Sequence, residues 1–194
     1  MVEQLINEMK QYAEDNNVPI ITDEGIDYIR NYIKDNNIKN ILEIGAAIGY
    51  SSILMALVDD NITITTIERD EKRYLEAVKN IKKFHLEDRI NLLYKDAFEV
   101  NFQEKFDLIF IDAAKAQNTR FFEKFEVNLS PNGTIITDNM NFHGLVEDTE
   151  QIKSRNLRAL VRKVKDYHEF LRNNENYTTE FLNIGDGLAI SRPM

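Results

Sequence analysis

Two sets of residues in this chain have types and spacing that could do chemistry. The first is Leu42-Glu43-Ile44-Gly45-Ala46-Ala47-Ile48-Gly49-Tyr50-Ser51, an apolar strand that runs into a glycine turn and then into a helix. A second acid, Glu68, closes the next apolar segment. A carboxylate there can accept hydrogen bonds from both hydroxyls of a ribose, which suggests a nucleoside held over the strand ends. Glu43 could meet a cationic part of the ligand, and Gly45 and Gly49 leave room for it to approach the backbone. Asp96-Ala97, after a third strand, would lie at the base edge. The second set is Asp112, Asp138 and Asn139, hard oxygen donors suited to Mg²⁺, Mn²⁺ or Ca²⁺. Lys115 follows Asp112 by three residues and could serve as a base beside a bound cation. Taken alone, Asp138-Asn139 reads as turn chemistry, since Asp and Asn commonly start turns and cap helices.

The elements that must position these residues can be read from periodicity. Apolar strand candidates fall at 40–44, 62–68, 90–94, 106–111, 133–137, 178–184 and 187–191. Helical patterns occupy 1–16, a segment opening at Asp23-Glu24, and then 50–58, 70–85, 118–128 and 151–173. Alternation of this kind predicts an α/β fold: a doubly wound, mostly parallel seven-stranded sheet with helices on both faces. Gly185-Asp186-Gly187 is a hairpin signal, so the last strand is expected to run antiparallel to its neighbour. Glu43, Glu68, Asp96, Asp112 and Asp138 then share the carboxyl rim of the sheet, where ligands of such folds bind. One domain over 1–194 is expected, with 1–38 as an N-terminal helical cap.

Composition narrows the classes. The 194 residues include no cysteine, which excludes disulfides and thiolate metal sites. No apolar run approaches a membrane span, and the N-terminus lacks the pattern of a signal peptide, so a cytoplasmic location is expected. A net charge of −9 argues against indiscriminate nucleic-acid binding. Locally the sign reverses: 151–172 carries Lys153, Arg155, Arg158, Arg162, Lys163, Lys165 and Arg172 against Asp166 and Glu169. At about 100° per residue, Arg155, Arg158, Arg162 and Lys165 share one helix face, beside an apolar stripe of Leu157, Leu160, Val164 and Leu171. That face could hold RNA phosphates, or it could be an ordinary solvated surface.

With these residues in place, the chain resembles the metal-dependent class I S-adenosylmethionine O-methyltransferases, the Rossmann-like relatives of catechol and caffeoyl-CoA O-methyltransferases. The similarity runs from about Ile20 to Ser191. Glu43 to Ser51 is similar to that family's cofactor loop, and Glu68 falls where the family holds the ribose. Ile111-Asp112-Ala113-Ala114-Lys115 resembles its metal-and-base segment, and Asn132-Gly133 through Asp138-Asn139 its second metal segment. The resemblance implies S-adenosylmethionine and Mg²⁺ (or Mn²⁺) as cofactors. It implies Asp112, Asp138 and Asn139 as ligands and Lys115 as the base. Cofactor contacts would come from Glu43, Gly45, Gly49, Ser51, Glu68, Asp96, Ala97 and Asp112.

Asp112-Ala113-Ala114-Lys115 with Gln117, together with Gly185-Asp186-Gly187-Leu188-Ala189, is most similar to the bacterial tRNA 5-hydroxyuridine methyltransferases. The chain departs from that subgroup at Ala116 and Asn118. The subgroup implies methylation of the wobble 5-hydroxyuridine of tRNA to 5-methoxyuridine. A small catechol-like phenol is the alternative acceptor. A non-catalytic RNA-binding module is a further alternative, and an NAD-dependent oxidoreductase is disfavoured by Ala47 and Tyr50 in the glycine loop. The helix at 1–16 could serve a homodimer or simply cover the sheet.

Overall fold

The computed structural model describes residues 2–141 and 154–194. Seven strands form one sheet: β1 (Asn40–Ile44), β2 (Thr63–Glu68), β3 (Ile90–Tyr94), β4 (Phe106–Ile111), β5 (Leu129–Thr137), β6 (Tyr177–Leu182) and β7 (Leu188–Pro193). Among the described residues six α-helices accompany them: α1 (Val2–Asp15), α2 (Asp23–Asp35), α3 (Tyr50–Ala56), α4 (Glu71–Lys83), α5 (Asn118–Phe125) and α6 (Arg155–Arg172). The strand order is β3-β2-β1-β4-β5-β7-β6. All pairings are parallel except those of β7, which runs antiparallel to both β5 and β6. The expected α/β sheet with an antiparallel last strand is therefore present. Its last hairpin folds back so that β7 lies between β5 and β6.

The central strands are continuous apolar runs because helices cover both of their faces. Ile41, Leu42, Leu108, Ile109, Phe110, Ile135 and Ile136 are fully enclosed. One face packs against α1, α2 and α3 through Met9, Ile26, Ile29, Ile33 and Ile53. The other packs against α5 and α6 through Phe121, Phe122, Phe125, Tyr167 and Leu171. Polar links fix the layers in register. The Tyr32 hydroxyl on α2 bonds Thr134 on β5 at 2.8 Å, and the Tyr167 hydroxyl on α6 bonds Thr137 at 2.8 Å.

Element ends differ from the periodicity in explicable ways. β5 begins four residues before the predicted start, because Leu129 pairs with Phe106 across a register shift that tolerates Pro131. The end of the fifth predicted helix tightens into a 3-10 turn at Glu126–Asn128. α6 starts after Ser154, whose side chain accepts from the Leu157 N–H. The earlier part of that predicted helix, with Lys153, lies outside the described residues. Within α6, Leu157 and Leu160 are only half-buried, and Val161 and Tyr167 take the core positions instead. No helix among the described residues is long and apolar enough to cross a membrane.

Ile109 has no exposed surface at the sheet's centre. Ile109→Ala is expected to cost about 2–5 kcal/mol. Urea unfolding should show this as a lower midpoint at an unchanged slope.

Candidate active site

The strand ends are laced together before any side chain takes part. Gly45 N–H and Ala46 N–H both donate to the Ile67 carbonyl at 3.0 Å. Asp112 N–H donates to the Ile44 carbonyl at 3.0 Å, and Asp138 N–H to that of Ile111 at 3.1 Å. This brings the ends of β2, β1, β4 and β5 side by side. A cavity of about 310 Å³ opens over them, within the range of small-molecule sites. Its walls include Gly45, Ala47, Glu68, Asp96, Ala97, Asp112, Lys115, Gln117 and Asn139.

At one end stands Glu68, 7% exposed. Its Oε2 accepts from Ala47 N–H and its Oε1 from Asp70 N–H, both at 2.8 Å. Each oxygen keeps a lone pair for a further donor. Asp96 caps the 3-10 turn at Ala97–Glu99, accepting from Phe98 N–H at 2.9 Å, and it meets Arg69 at 3.3 Å. That N–H bond, with help from the Arg69 guanidinium, holds the carboxyl below its usual range.

Three of the expected cofactor contacts, Glu43, Ser51 and Gly49, are not among the residues of the cavity wall. Glu43 does not reach the cavity: it is fully buried below the glycine loop, and its carboxyl accepts from the hydroxyls of Ser51, Ser52 and Thr66. Burial pushes its pKa up despite those donors. Ser51 is thereby occupied as well and stays outside the cavity wall. Gly49 adopts φ +80° at the start of α3, and a Cβ there would find ordinary contact with Ala77, so its conformation requires glycine rather than ligand approach. Gly45 does line the cavity, but the constraint on it is internal: at φ +104° an added Cβ would lie 2.2 Å from the Asp112 carbonyl oxygen.

The other end gathers Asp112, Asp138, Asn139 and Lys115. The Asn139 amide donates to Asp112 Oδ1 at 3.2 Å and to Asp138 Oδ2 at 3.0 Å, from a left-handed backbone at φ 64°. Asp138 is 5% exposed, behind Asn139, while Asp112 keeps an edge toward the cavity. Burial first, then the Asp112 charge, raises Asp138; burial and the Glu43 charge raise Asp112, and Lys115 opposes both shifts. Two enclosed carboxylates pushed toward protonation, with an amide between them, form a donor set that suits a hard divalent cation. Among the described residues no cluster of three or more His, Cys, Asp or Glu side chains has metal-binding placement.

Sequence reasoning missed two supporting residues. Asp186, read from sequence as part of the hairpin signal and of the subgroup stretch but given no place in the site, is 9% exposed and near enough to raise Asp138 further. His168 bonds the Met140 carbonyl at 2.9 Å and stacks on Phe181, so α6 steadies the segment after Asn139. Helical periodicity places His168 beside the apolar stripe but cannot show what it meets. His85 ends α4 in a left-handed conformation, as a helix-end residue, and His143 lies outside the described residues. Asn118 opens α5 with its side chain buried. Arg155, Arg158 and Arg162 are exposed on α6, with Lys165 half-buried, and α6 packs beside the 3-10 turn that begins at Lys115.

A mostly parallel sheet with an antiparallel penultimate-position strand, and an acid-rimmed cavity across its strand ends, defines a class I S-adenosylmethionine-dependent methyltransferase. A family model described as O-methyltransferase matches residues 1–194, and the chain belongs to that family. A Staphylococcus aureus protein, provisionally named a caffeoyl-CoA O-methyltransferase, has a crystal structure with a TM-score of 0.93 and 46% identity, over 97% of this chain and 92% of that one. A Bacillus cereus O-methyltransferase in complex with SAH gives a TM-score of 0.84 at 26% identity, over 98% and 91%. The caffeoyl-CoA O-methyltransferase of Populus kitakamiensis is 27% identical over 193 residues, 94% of this chain and 81% of its own.

Glu68→Ala is expected to weaken S-adenosylmethionine or S-adenosylhomocysteine binding by about 1.5–3 kcal/mol, the range for hydrogen bonds to a charged group. Calorimetry would read the change, with a melting curve to check the Ala47 and Asp70 N–H groups left without their acceptor. Unchanged affinity would remove Glu68 from the ribose site.

Proposed function

We propose that this O-methyltransferase moves the methyl group of S-adenosylmethionine to the 5-oxygen of wobble 5-hydroxyuridine in tRNA, with Mg²⁺ or Mn²⁺ as a second cofactor. The observation that carries the reading is the shared cavity. Glu68 and Asp96, suited to a nucleoside, occupy the same walls as Asp112, Lys115 and Asn139, suited to an oxygen acceptor. The SAH complex of the Bacillus cereus relative supports the identity of the nucleoside.

In this reading Glu68 accepts from the ribose hydroxyls and the Asp96-Ala97 turn meets the adenine. A cation held by Asp112, Asp138 and Asn139 would supply a Lewis acid that acidifies an acceptor hydroxyl. Lys115 stands at the cavity wall to take the hydroxyl proton. The oxygen forms a bond to the methyl carbon, the carbon–sulfur bond breaks, and its electron pair stays on sulfur as the neutral thioether. Holding oxygen, carbon and sulfur in line is the main task left to the walls. A 5-hydroxyuracil carries a hydroxyl beside a carbonyl, a pair of oxygens like that of a catechol.

The tRNA acceptor is favoured by Asp112-Ala113-Ala114-Lys115 with Gln117, and by exposed Arg155, Arg158 and Arg162 on the helix that packs beside Lys115. A second reading, a small phenolic acceptor, is favoured by the caffeoyl-CoA O-methyltransferase of Populus kitakamiensis.

Two measurements test this. Excess EDTA is expected to abolish turnover, and Mg²⁺ or Mn²⁺ to restore it; Asp138→Ala should lower kcat by about a hundredfold or more while S-adenosylhomocysteine still binds. Full turnover in EDTA would remove the metal. Methylation of tRNA bearing 5-hydroxyuridine is expected to exceed that of free 5-hydroxyuridine or catechol in kcat/KM. Replacing Arg155, Arg158 and Arg162 with Ala should raise KM for that tRNA. Preference for catechol would instead select the phenolic reading.

A further inference from the structure

Across the cavity from Lys115, a group of side chains is left without a role. Tyr94 ends β3, the sheet's edge strand, in register with Glu68, and it is 50% exposed. Its ring forms a tilted pair with Tyr74 of α4, centroids 5.0 Å apart. The chain neighbours of these two tyrosines, Arg73 and Lys95, line the cavity. Neither cation has an ion pair among the described residues, whereas Arg69 beside them is paired with Asp96. Unpaired cations at a ligand mouth, in a chain of net charge −9, ask for an anionic partner. The nucleoside cofactor does not supply one here. Its single carboxylate belongs to the methionine part, at the far end of the molecule from the adenine that Asp96-Ala97 would meet.

We propose that Tyr94, backed by Tyr74, and the cations Arg73 and Lys95 form a platform for a single-stranded RNA segment next to the target nucleotide. Bases stack on the Tyr94 ring and phosphates meet Arg73 and Lys95. The inference rests on the tRNA reading above and deepens it. Aromatic faces beside basic side chains are how unpaired strands are held, because every base has a face to stack and every linkage a charge to neutralise. The position also fits the geometry of delivery. With α6 and its arginines beside Lys115 on one flank and Tyr94 on the other, a loop would span the mouth while one nucleotide enters. A paired strand has no open base face to offer, so the platform discriminates against duplex.

Leu75 and Val78 of α4 are also exposed, at 51% and 41%, so a second copy of this chain is the competing occupant. The test uses fluorescence anisotropy without cofactor, on a labelled hairpin RNA with an unpaired loop and on the same RNA annealed to its complement. The intact protein should prefer the loop. Tyr94→Ala should weaken loop binding about tenfold, within the range for one stacked base, and leave duplex binding alone. Tyr94→Trp should retain loop binding, which separates stacking from a folding defect. Arg73→Gln with Lys95→Gln should reduce the log–log salt slope by about 1.4, at about 0.7 per lost phosphate contact. Wild-type affinity and slope in these variants would overturn the platform; if Arg155, Arg158 and Arg162 variants lose binding in the same assay, the tRNA reading survives it. A change of sedimentation mass in Tyr94→Ala without a change in RNA affinity would assign the patch to a second copy. If the intact protein binds neither the hairpin nor tRNA, the substrate reading falls and the platform with it.

Discussion

The contact between Gly45 and the Asp112 carbonyl is the constraint on which the site depends. β1 and β4 leave the sheet so close together that a methyl group on Gly45 would sit 2.2 Å from that oxygen. Any other residue must move either the cofactor loop or the Asp112 turn. The same closeness joins the two halves of the chemistry. Asp112 N–H donates to the carbonyl of Ile44, the residue before Gly45, so the first acid of the proposed metal set and the floor of the proposed nucleoside site share one backbone junction. Alignment of a methyl donor with an oxygen acceptor is a matter of fractions of an ångström. A shared main-chain junction holds such tolerances better than two separate loops.

Glu43 works on the same junction from below. A carboxyl in the core costs free energy unless its oxygens are satisfied, and here hydroxyls from α3 and from β2 supply the donors. The glycine loop is thus pinned to the start of α3 and to the neighbouring strand by one side chain. The acid closest in sequence to the glycine motif is fully buried on hydroxyl donors, while Glu68, a strand away, lines the cavity.

Electrostatics in the site are local. The chain as a whole is acidic, yet Arg73, Lys95 and Lys115 line the cavity and Arg155, Arg158 and Arg162 stand exposed nearby. Opposite them, burial raises both Asp112 and Asp138; the Glu43 charge adds to the first and the Asp112 charge to the second.

The sequence by itself determined the element types and the rim. Continuous apolar runs such as Phe106–Ile111 bury on both faces, and period-3.6 patterns give helices, because local hydrophobic spacing reports local burial. Placing Glu43, Glu68, Asp96, Asp112 and Asp138 at strand ends followed directly. Tertiary structure decided which of them line the cavity. Glu43 and Glu68 are the same residue type near the ends of neighbouring strands, but the register sets Glu43 opposite Thr66, two residues short of Glu68, where the hydroxyls of Ser51, Ser52 and Thr66 enclose it. The insertion of β7 between β5 and β6 was likewise invisible: a hairpin signal sets the direction of two strands, not the partner that the second one finds. Asp186 and His168 reach Asp138 and Met140 through contacts some 28 residues or more apart in sequence, and no local pattern encodes them. Periodicity is a short-range signal, whereas a site at strand ends is built from side chains that meet only once the sheet has assembled.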